Sequence, residues 1–295
     1  MAVILDSKQL CGNLEKEIRK ILKSLPGLCL ASVSIGDNYA SCLYRRIQKQ
    51  AAFSLGVEYK EVNLGKDISF DTFKNKIETL NKDSGVTGII INKPFPSGWK
   101  DQEAFALLDE KKDIEGTHPF NLGRFCIGFK SALSDSYPDA SLGFCVSPTV
   151  LSIIDLIKAS GANLSGARVT IVGFSSLIGK PLAIYLANEF ATVSIAHIET
   201  YNKGDLAFYV NNADILISAV GKPGLIKGEW IKEDSLVIDV GTGRKNGVLA
   251  GDVEFKEASK KAKYITPVPG GVGRLTTMFL YYNLAITARI QGVTK

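Results

Sequence analysis

The residues best placed by type and spacing to do chemistry are glycines. Gly173 and Gly179 bracket the run Gly-Phe-Ser-Ser-Leu-Ile-Gly, directly after the apolar stretch Val169–Val172. A short, partly β-branched apolar stretch reads as a buried strand. Gly173 can turn the chain tightly at its end, and Gly179 permits close backbone approach where a helix begins. Strand, glycine turn and helix start together present free N–H groups and the positive end of a helix dipole to a phosphate. The spacing departs from Gly-x-Gly-x-x-Gly, and alone it fits an ordinary strand–helix turn equally well. The pattern then repeats. Ile215–Ala219 runs into Val220-Gly221-Lys-Pro-Gly224, and Leu236–Val240 runs into Gly241. Several strands ending on glycine build a crevice where a dinucleotide can approach backbone, and this repetition favours a nucleotide site.

Two further places carry polar groups at suggestive spacing. On a helix from Ala40, Tyr44 and Gln48 are four apart and share a face, with Ser41 one turn earlier. Asn92-Lys93-Pro94-Phe-Pro96 follows the apolar stretch Val86–Asn92, and open α/β sheets bind ligands beyond the carboxyl ends of their strands. Taken alone, the spacing favours a packing role for Tyr44 and a turn role for Asn92 and leaves the chemical reading open. Lys112–Arg124 is dense in polar and turn-forming residues and reads as a solvated or a functional loop. Residues 125–144 show little pattern, and an irregular stretch of that length is functional or mobile.

The elements that would position these groups alternate. Helices are predicted over 7–25, 40–55, 69–81, 147–159, 205–213 and 275–289, and strands over 28–34, 57–63, 86–92, 169–172, 192–196, 215–219 and 236–240. Ser7 is a candidate helix cap, and Pro26-Gly27 a stop. Alternation of this kind predicts parallel, helix-covered sheets, an α/β fold. The 295 residues allow one large or two medium domains, and 45% apolar content supplies their cores. A net charge of +5 without a basic, aromatic-interleaved patch disfavours nucleic acid. No apolar run is long enough to span a membrane. Five scattered cysteines without a Cys-x-x-Cys pair, and only two histidines, predict a reduced, cytoplasmic protein with no metal site.

Together these stretches resemble the methylenetetrahydrofolate dehydrogenase/cyclohydrolase family over nearly the whole chain. The most specific match is Tyr264-Ile-Thr-Pro-Val-Pro-Gly-Gly-Val-Gly273. It is supported by Gly36–Tyr44, Lys112–Pro119, Val172–Pro181, Val220–Gly224, Ile238–Gly241 and Gly251–Val253. The resemblance implies two α/β domains flanking a cleft. A Rossmann-like NAD(P)-binding domain would occupy 147–273, and a folate domain 1–146 plus 274–295. It implies a homodimer through the nucleotide domain and hydride transfer from 5,10-methylenetetrahydrofolate to a nicotinamide cofactor. Hydrolysis of the methenyl product in the same pocket would follow. Carried over by position, the catalytic residues are Tyr44, Gln48, Asn92 and Glu115, and the substrate-binding residues Ser41, Tyr44, Lys93, Pro94, Glu115, Pro269, Gly270 and Gly271. The cofactor residues are Gly173, Phe174, Ser175, Ile178, Gly179, His197, Ile198, Glu199, Val220, Gly221, Gly241, Thr242 and Thr276.

The departures are informative. Gln48 stands where the family carries its catalytic lysine, Asn92 where it carries a glutamine, and Glu115 where an aspartate binds the pterin ring. An amide cannot exchange protons near neutral pH, so cyclohydrolase activity is expected to be lost or impaired, unless Lys93 substitutes from the opposite wall. Phe174 and Ile198 replace the Arg and Ser typical of NADP-using members, and Glu199 suits a free ribose hydroxyl, so NAD is expected over NADP, with Lys203 the competing cation. Two alternatives stand beside this reading. One is a relative repurposed for another one-carbon folate, pterin or amine substrate. The other is a non-enzymatic folate or dinucleotide binder.

Overall fold

The alternation seen in the sequence folds into two parallel sheets. The computed structural model describes residues 1–25, 27–128, 137, 139–245 and 247–293. In chain order it contains β1 (Val3–Ile4), α1 (Lys8–Leu22), β2 (Cys29–Ile35), α2 (Tyr39–Leu55), β3 (Glu58–Leu64), α3 (Phe70–Lys82), β4 (Gly88–Ile91), α4 (Asp101–Phe105) and α5 (Pro119–Gly128). There follow α6 (Pro148–Ser160), β5 (Arg168–Val172), α7 (Gly179–Asn188), β6 (Thr192–Ala196), α8 (Ile198–Asn202), α9 (Leu206–Asn211), β7 (Ile215–Ser218) and β8 (Leu236–Asp239). The chain ends with β9 (Gly243–Lys245), β10 (Val248–Ala250), α10 (Phe255–Lys261), β11 (Tyr264–Ile265) and α11 (Val272–Ile290). Two compact units result: Met1–Gly12 with Thr149–Thr276, and Asn13–Pro148 with Thr277–Lys295.

The second unit is built on a three-stranded parallel sheet, order β3-β2-β4. Its central strand β2 is buried along its whole length, which is why Cys29–Ile35 is apolar except at Ser32 and Ser34. Helix α3 turns Phe73, Ile77 and Leu80 inward at helical spacing, and Ser69 caps it by accepting from Thr72 N. Beyond β4 the chain is pinned by rings. Phe95 lies 5.4 Å from Phe105, and Trp99 lies 5.1 Å from Phe73. That anchor places Asn92 and Lys93 at the carboxyl end of the sheet.

The first unit carries a six-stranded parallel sheet, order β1-β11-β8-β7-β5-β6. From β5 the chain steps outward to β6, then returns to the other side of β5 to lay down β7. The strand order therefore reverses between β5 and β7, the point in such sheets where a crevice opens beyond the strand ends. Its core, which includes Val172, Ala196, Leu216, Val237 and Ile265, fills the sheet face beneath that crevice.

Several expectations need correction. The first residues do not belong with the folate domain. Val3 and Ile4 pair in parallel with Tyr264 and Ile265, so β1 extends the six-stranded sheet and carries the first twelve residues into that unit. Ser7 does not cap α1 with its side chain. Its hydroxyl lies 2.8 Å from both the Gly270 and Gly271 carbonyls, holding the glycine-rich turn. Residues 125–144 are not simply irregular, since α5 runs to Gly128 and a 3-10 turn spans Ala140–Leu142. Residues 129–136 and 138 of that stretch, and Pro26 of the expected helix stop, lie outside the described residues. The short elements β9, β10, β11, α4, α8 and α10 had too few residues to show a period.

One buried bond tests the packing of the three-stranded unit. The Tyr281 hydroxyl donates to the Gln48 carbonyl at 2.6 Å. Tyr281→Phe keeps the ring and loses the bond, so equilibrium denaturation should read a loss of about 1 kcal/mol.

Candidate active site

In the three-stranded unit, α2 presents Ser41, Arg45, Gln48 and Ala52 as its buried stripe. The side facing them on the sheet is polar rather than apolar. Gln48 is completely buried, Asn92 is 5% exposed, and Ser32 on β2 is completely buried. The three side chains are joined in a ring. Ser32 Oγ donates to Gln48 Oε1 (3.2 Å), Gln48 Nε2 donates to Asn92 Oδ1 (3.3 Å), and Asn92 Nδ2 donates to Ser32 Oγ (2.8 Å). Asn92 Nδ2 also donates to the Val33 carbonyl at 2.9 Å, and the Tyr59 hydroxyl donates to Gln48 Oε1 at 2.8 Å. Tyr44, one turn before Gln48, lies beside its amide and close enough to Glu115 to feel that carboxylate. Burial, then the Glu115 charge, pushes the phenol pKa up, and the Gln48 amide opposes the rise.

Glu115 is placed by a second carboxylate. Asp113 is fully buried and accepts from Glu115 N (3.2 Å), His118 N (2.7 Å), Thr117 Oγ1 (3.1 Å) and Asn121 Nδ2 (2.8 Å). Asn283 secures the same segment from α11, donating to the Ile114 and Val146 carbonyls at 2.8 Å. Glu115 lies partly accessible in a recess with protein on most sides. Burial, with the Asp113 charge adding to it, pushes its carboxyl up to about 8. Ser41 is buried on α2, and its backbone N–H donates to Asn38 Oδ1.

Two cations stand near this site. Arg45 is not a solvated surface charge. It is 8% exposed, its Nη2 donates to Cys42 Sγ at 3.1 Å, and its Nε has no hydrogen-bond partner among the described residues. Lys93 is half-exposed and pairs with Asp101. Ser32 and Tyr59 were missed by sequence reasoning. Tyr59 is one residue of the strand expected over 57–63, and Ser32, like Ser34, is a small residue in an otherwise apolar strand whose partner cannot be read from the strand itself.

In the six-stranded unit, the loops after β5 and β7 meet at the switch point. Gly173 has φ of 118°, and a Cβ there would stand 2.6 Å from the Ala219 carbonyl oxygen. A Cβ on Gly179 would stand 2.2 Å from the Gly173 carbonyl oxygen. Only glycine fits either place, and the loop closes tightly over the start of α7. Ser175 Oγ accepts from Ile178 N at 3.2 Å, and Ile178 caps the helix. His197 caps α8 by accepting from Glu199 N, so Ile198 and Glu199 fall in the first turn, with Ile198 exposed. Phe174 is 50% exposed, and Lys180 Nζ lies over its ring at 4.8 Å. Lys222 Nζ lies over Tyr201 at 5.0 Å.

Buried carboxylates also hold the floor of this crevice. Asp252 Oδ2 accepts from Ser218 Oγ (2.9 Å), Val220 N (2.8 Å) and Gly221 N (3.2 Å). Asp239 accepts from Gly241 N (3.1 Å), Asp252 N (3.0 Å) and Val253 N (2.9 Å). Burial drives the Asp239 carboxyl up to about 7, against these donors. A Cβ on Gly241 would lie 2.0 Å from the Asp252 carboxyl carbon. Thr242 follows, its carbonyl beneath Gly221. Thr276 turns its hydroxyl to the Val272 carbonyl at 3.0 Å. Pro269, Gly270 and Gly271 form the turn held by Ser7.

Residues 5–115 match the model of the tetrahydrofolate dehydrogenase/cyclohydrolase catalytic domain, and residues 147–292 match that of its NAD(P)-binding domain. The bifunctional protein FolD of Clostridium novyi is 37% identical over 290 residues, covering 96% of this chain and 98% of the relative. The structure of the bifunctional methylenetetrahydrofolate dehydrogenase/cyclohydrolase from Campylobacter jejuni superposes with a TM-score of 0.87 at 33% identity, covering 99% of this chain and all of that one. The Trypanosoma brucei enzyme, solved with NADP and an inhibitor, gives a TM-score of 0.86 at 32% identity, with 98% of each chain covered.

The carboxyl of Glu115 has a consequence for folding. An unfolded glutamate ionises near 4.5, whereas here the proton is held to about 8. Between those values the unfolded chain binds fewer protons than the folded one, so this group's contribution weakens as pH rises. Glu115→Gln should therefore gain stability relative to the parent at pH 8 compared with pH 5, read from denaturant midpoints at both.

Proposed function

Because the chain belongs to the tetrahydrofolate dehydrogenase/cyclohydrolase family, we propose that it is an NAD-linked 5,10-methylenetetrahydrofolate dehydrogenase with little or no cyclohydrolase activity. The observation that carries this reading is the buried amide of Gln48 at the position where the resemblance implies a lysine. Hydrolysis of a methenyl carbon needs a group that moves protons as water adds, and a carboxamide does not do so near neutral pH. Lys93, committed to Asp101 at the surface, offers no support as a replacement. Dehydrogenation asks less of the protein. A bound nicotinamide supplies the hydride acceptor, and the chain has to hold and orient the two molecules.

The residues present fit such a cofactor. The Gly173–Gly179 loop leaves no room for a side chain at either glycine and exposes the start of α7, which would hold the pyrophosphate. Glu199, in the first turn of α8 just beyond β6, would accept from a ribose hydroxyl. Phe174 and Ile198 offer no cation for a ribose phosphate, which supports NAD. Lys180, lying over Phe174, is the observation favouring NADP. In the other unit, Glu115 would accept from the amino and N–H edge of a pterin, and Tyr44 would lie against the substrate. The outer edge of β6, which no strand pairs among the described residues, with Phe190 and Phe208 exposed in the same unit, supports a homodimer formed there.

Three measurements test these readings. With methylenetetrahydrofolate, kcat/KM should favour NAD over NADP by roughly tenfold, about 1.4 kcal/mol. A preference for NADP that disappears in Lys180→Ala would transfer the assignment to that lysine. Supplied methenyltetrahydrofolate should hydrolyse no faster than in buffer, and enzyme-dependent turnover would refute the loss of cyclohydrolase. Accepting from the pterin edge requires ionised Glu115, so the folate KM should fall as pH rises through about 8.

A further inference from the structure

We propose that Arg45 and Ser41 form a binding site for an oxyanion, a carboxylate or a phosphate, in the three-stranded unit. The observation that carries it is a buried charge without a counter-charge. Arg45 is 8% exposed, and a guanidinium is not deprotonated in a protein. Its hydrogen bonding among the described residues is limited to Nη2 donating to Cys42 Sγ at 3.1 Å, and a thiol sulfur is a weak acceptor. Nε is buried with no partner. No carboxylate among the described residues pairs with Arg45, and the acidic groups of the facing strand are engaged elsewhere. Tyr59, Glu61 and Asn63 share one face of β3 by alternation, the face from which Tyr59 reaches Gln48. Glu61 is held by Lys49 at 2.9 Å, and Asp37 accepts from Asn63 at 3.2 Å. Taking a charge out of water is costly unless an opposite charge meets it. The chain supplies none here, so the charge points to an anion from outside it.

Ser41 supplies the second donor. It stands one helical turn before Arg45 on the same buried stripe, and residues four apart on a helix are neighbours. Its backbone N–H goes to Asn38 Oδ1 at 3.3 Å, and its hydroxyl has no hydrogen-bond partner among the described residues. Donors at two consecutive turns thus lack acceptors, one neutral and one charged. An oxyanion matches both, since its oxygens can accept from the planar guanidinium and from the hydroxyl together. Gln48, next on the stripe, is bonded instead to Ser32, Tyr59 and Asn92, so the two groups are distinct. The location suits a ligand. Helix α2 follows β2 at the carboxyl end of the sheet, and Ser41 and Arg45 fall in its first two turns, where open parallel sheets take their ligands. Two sources carry this chemistry: free phosphate, and the glutamyl carboxylates of a folate, the second resting on the proposed function.

Inorganic phosphate, titrated against the full chain at constant ionic strength set with chloride, should raise the thermal midpoint saturably. Arg45→Met should abolish that response, and Ser41→Ala should weaken phosphate binding by roughly threefold. In phosphate-free buffer Arg45→Met should not lower the midpoint, because the charge it removes has no counter-charge to lose. A clear drop there would show the guanidinium satisfied within the chain and would overturn the site. In the parent protein one arginine Nε–H resonance, absent from Arg45→Lys, should shift along the same titration. For the folate source, pteroylglutamate should bind about tenfold more tightly than pteroate, which lacks the glutamyl carboxylates, and Arg45→Met should bind the two alike. A phosphate response without that preference assigns the site to the free anion, and the preference lost in Arg45→Met assigns it to the folate. Neither response, or responses that persist in Arg45→Met, would sink the proposal. If neither pterin binds, the proposed function fails, and the phosphate titration alone decides the site.

Discussion

A buried carboxylate accepting main-chain N–H groups is the interaction on which both candidate sites depend. Asp113 does this beneath Glu115, Asp252 beneath the Val220–Gly221 turn, and Asp239 beneath Gly241 and Val253. Loops at the carboxyl ends of strands leave amides without ladder partners, and each unsatisfied amide in the interior costs about 1–3 kcal/mol. One side chain with two acceptor oxygens satisfies several of them and fixes the loop's shape. The cost of removing its charge from water is visible at Asp239, whose proton affinity is driven up by burial despite three amide donors.

Close backbone packing completes what the carboxylates begin. The chain returns across β5 to form β7, and this brings the Gly173 loop against Ala219 with no space for a Cβ. The topology of the sheet thus decides where the loops meet, and glycine is the only residue that lets them do so. Unit by unit, the sheets supply rigid strand ends, and function is delegated to the short connections that follow them.

Much of this was legible in the sequence because its signals were local. The strands β2, β4, β5 and β7 are short apolar runs, and the glycines after β5 and β7 follow them immediately. Tyr44, Gln48 and Asn92 could be nominated from helical spacing and from a strand end. What could not be read was pairing over long sequence distances. Val3 and Ile4 join residues more than 250 positions away, so a two-residue strand gave no reason to place the N-terminus in the other unit. The burial of Arg45 was not legible either, because burial of an arginine depends on what covers the helix. Ser32 and Tyr59 were invisible for the opposite reason: each is ordinary in its own strand, and their meaning arises only where β2, β3 and α2 converge on one amide.

The ring around Gln48 also bears on how such a pocket can change over generations. A lysine at position 48 brings only donors, and the hydroxyls of Ser32 and Tyr59, which now both donate to that position, would have to turn and find new acceptors. The effect of changing residue 48 is therefore set by which residues occupy 32 and 59. Position 48 is epistatic with two residues outside its own helix, and the route between an amide and an ammonium at this place runs through their hydroxyls, in an order that the hydrogen-bond directions impose.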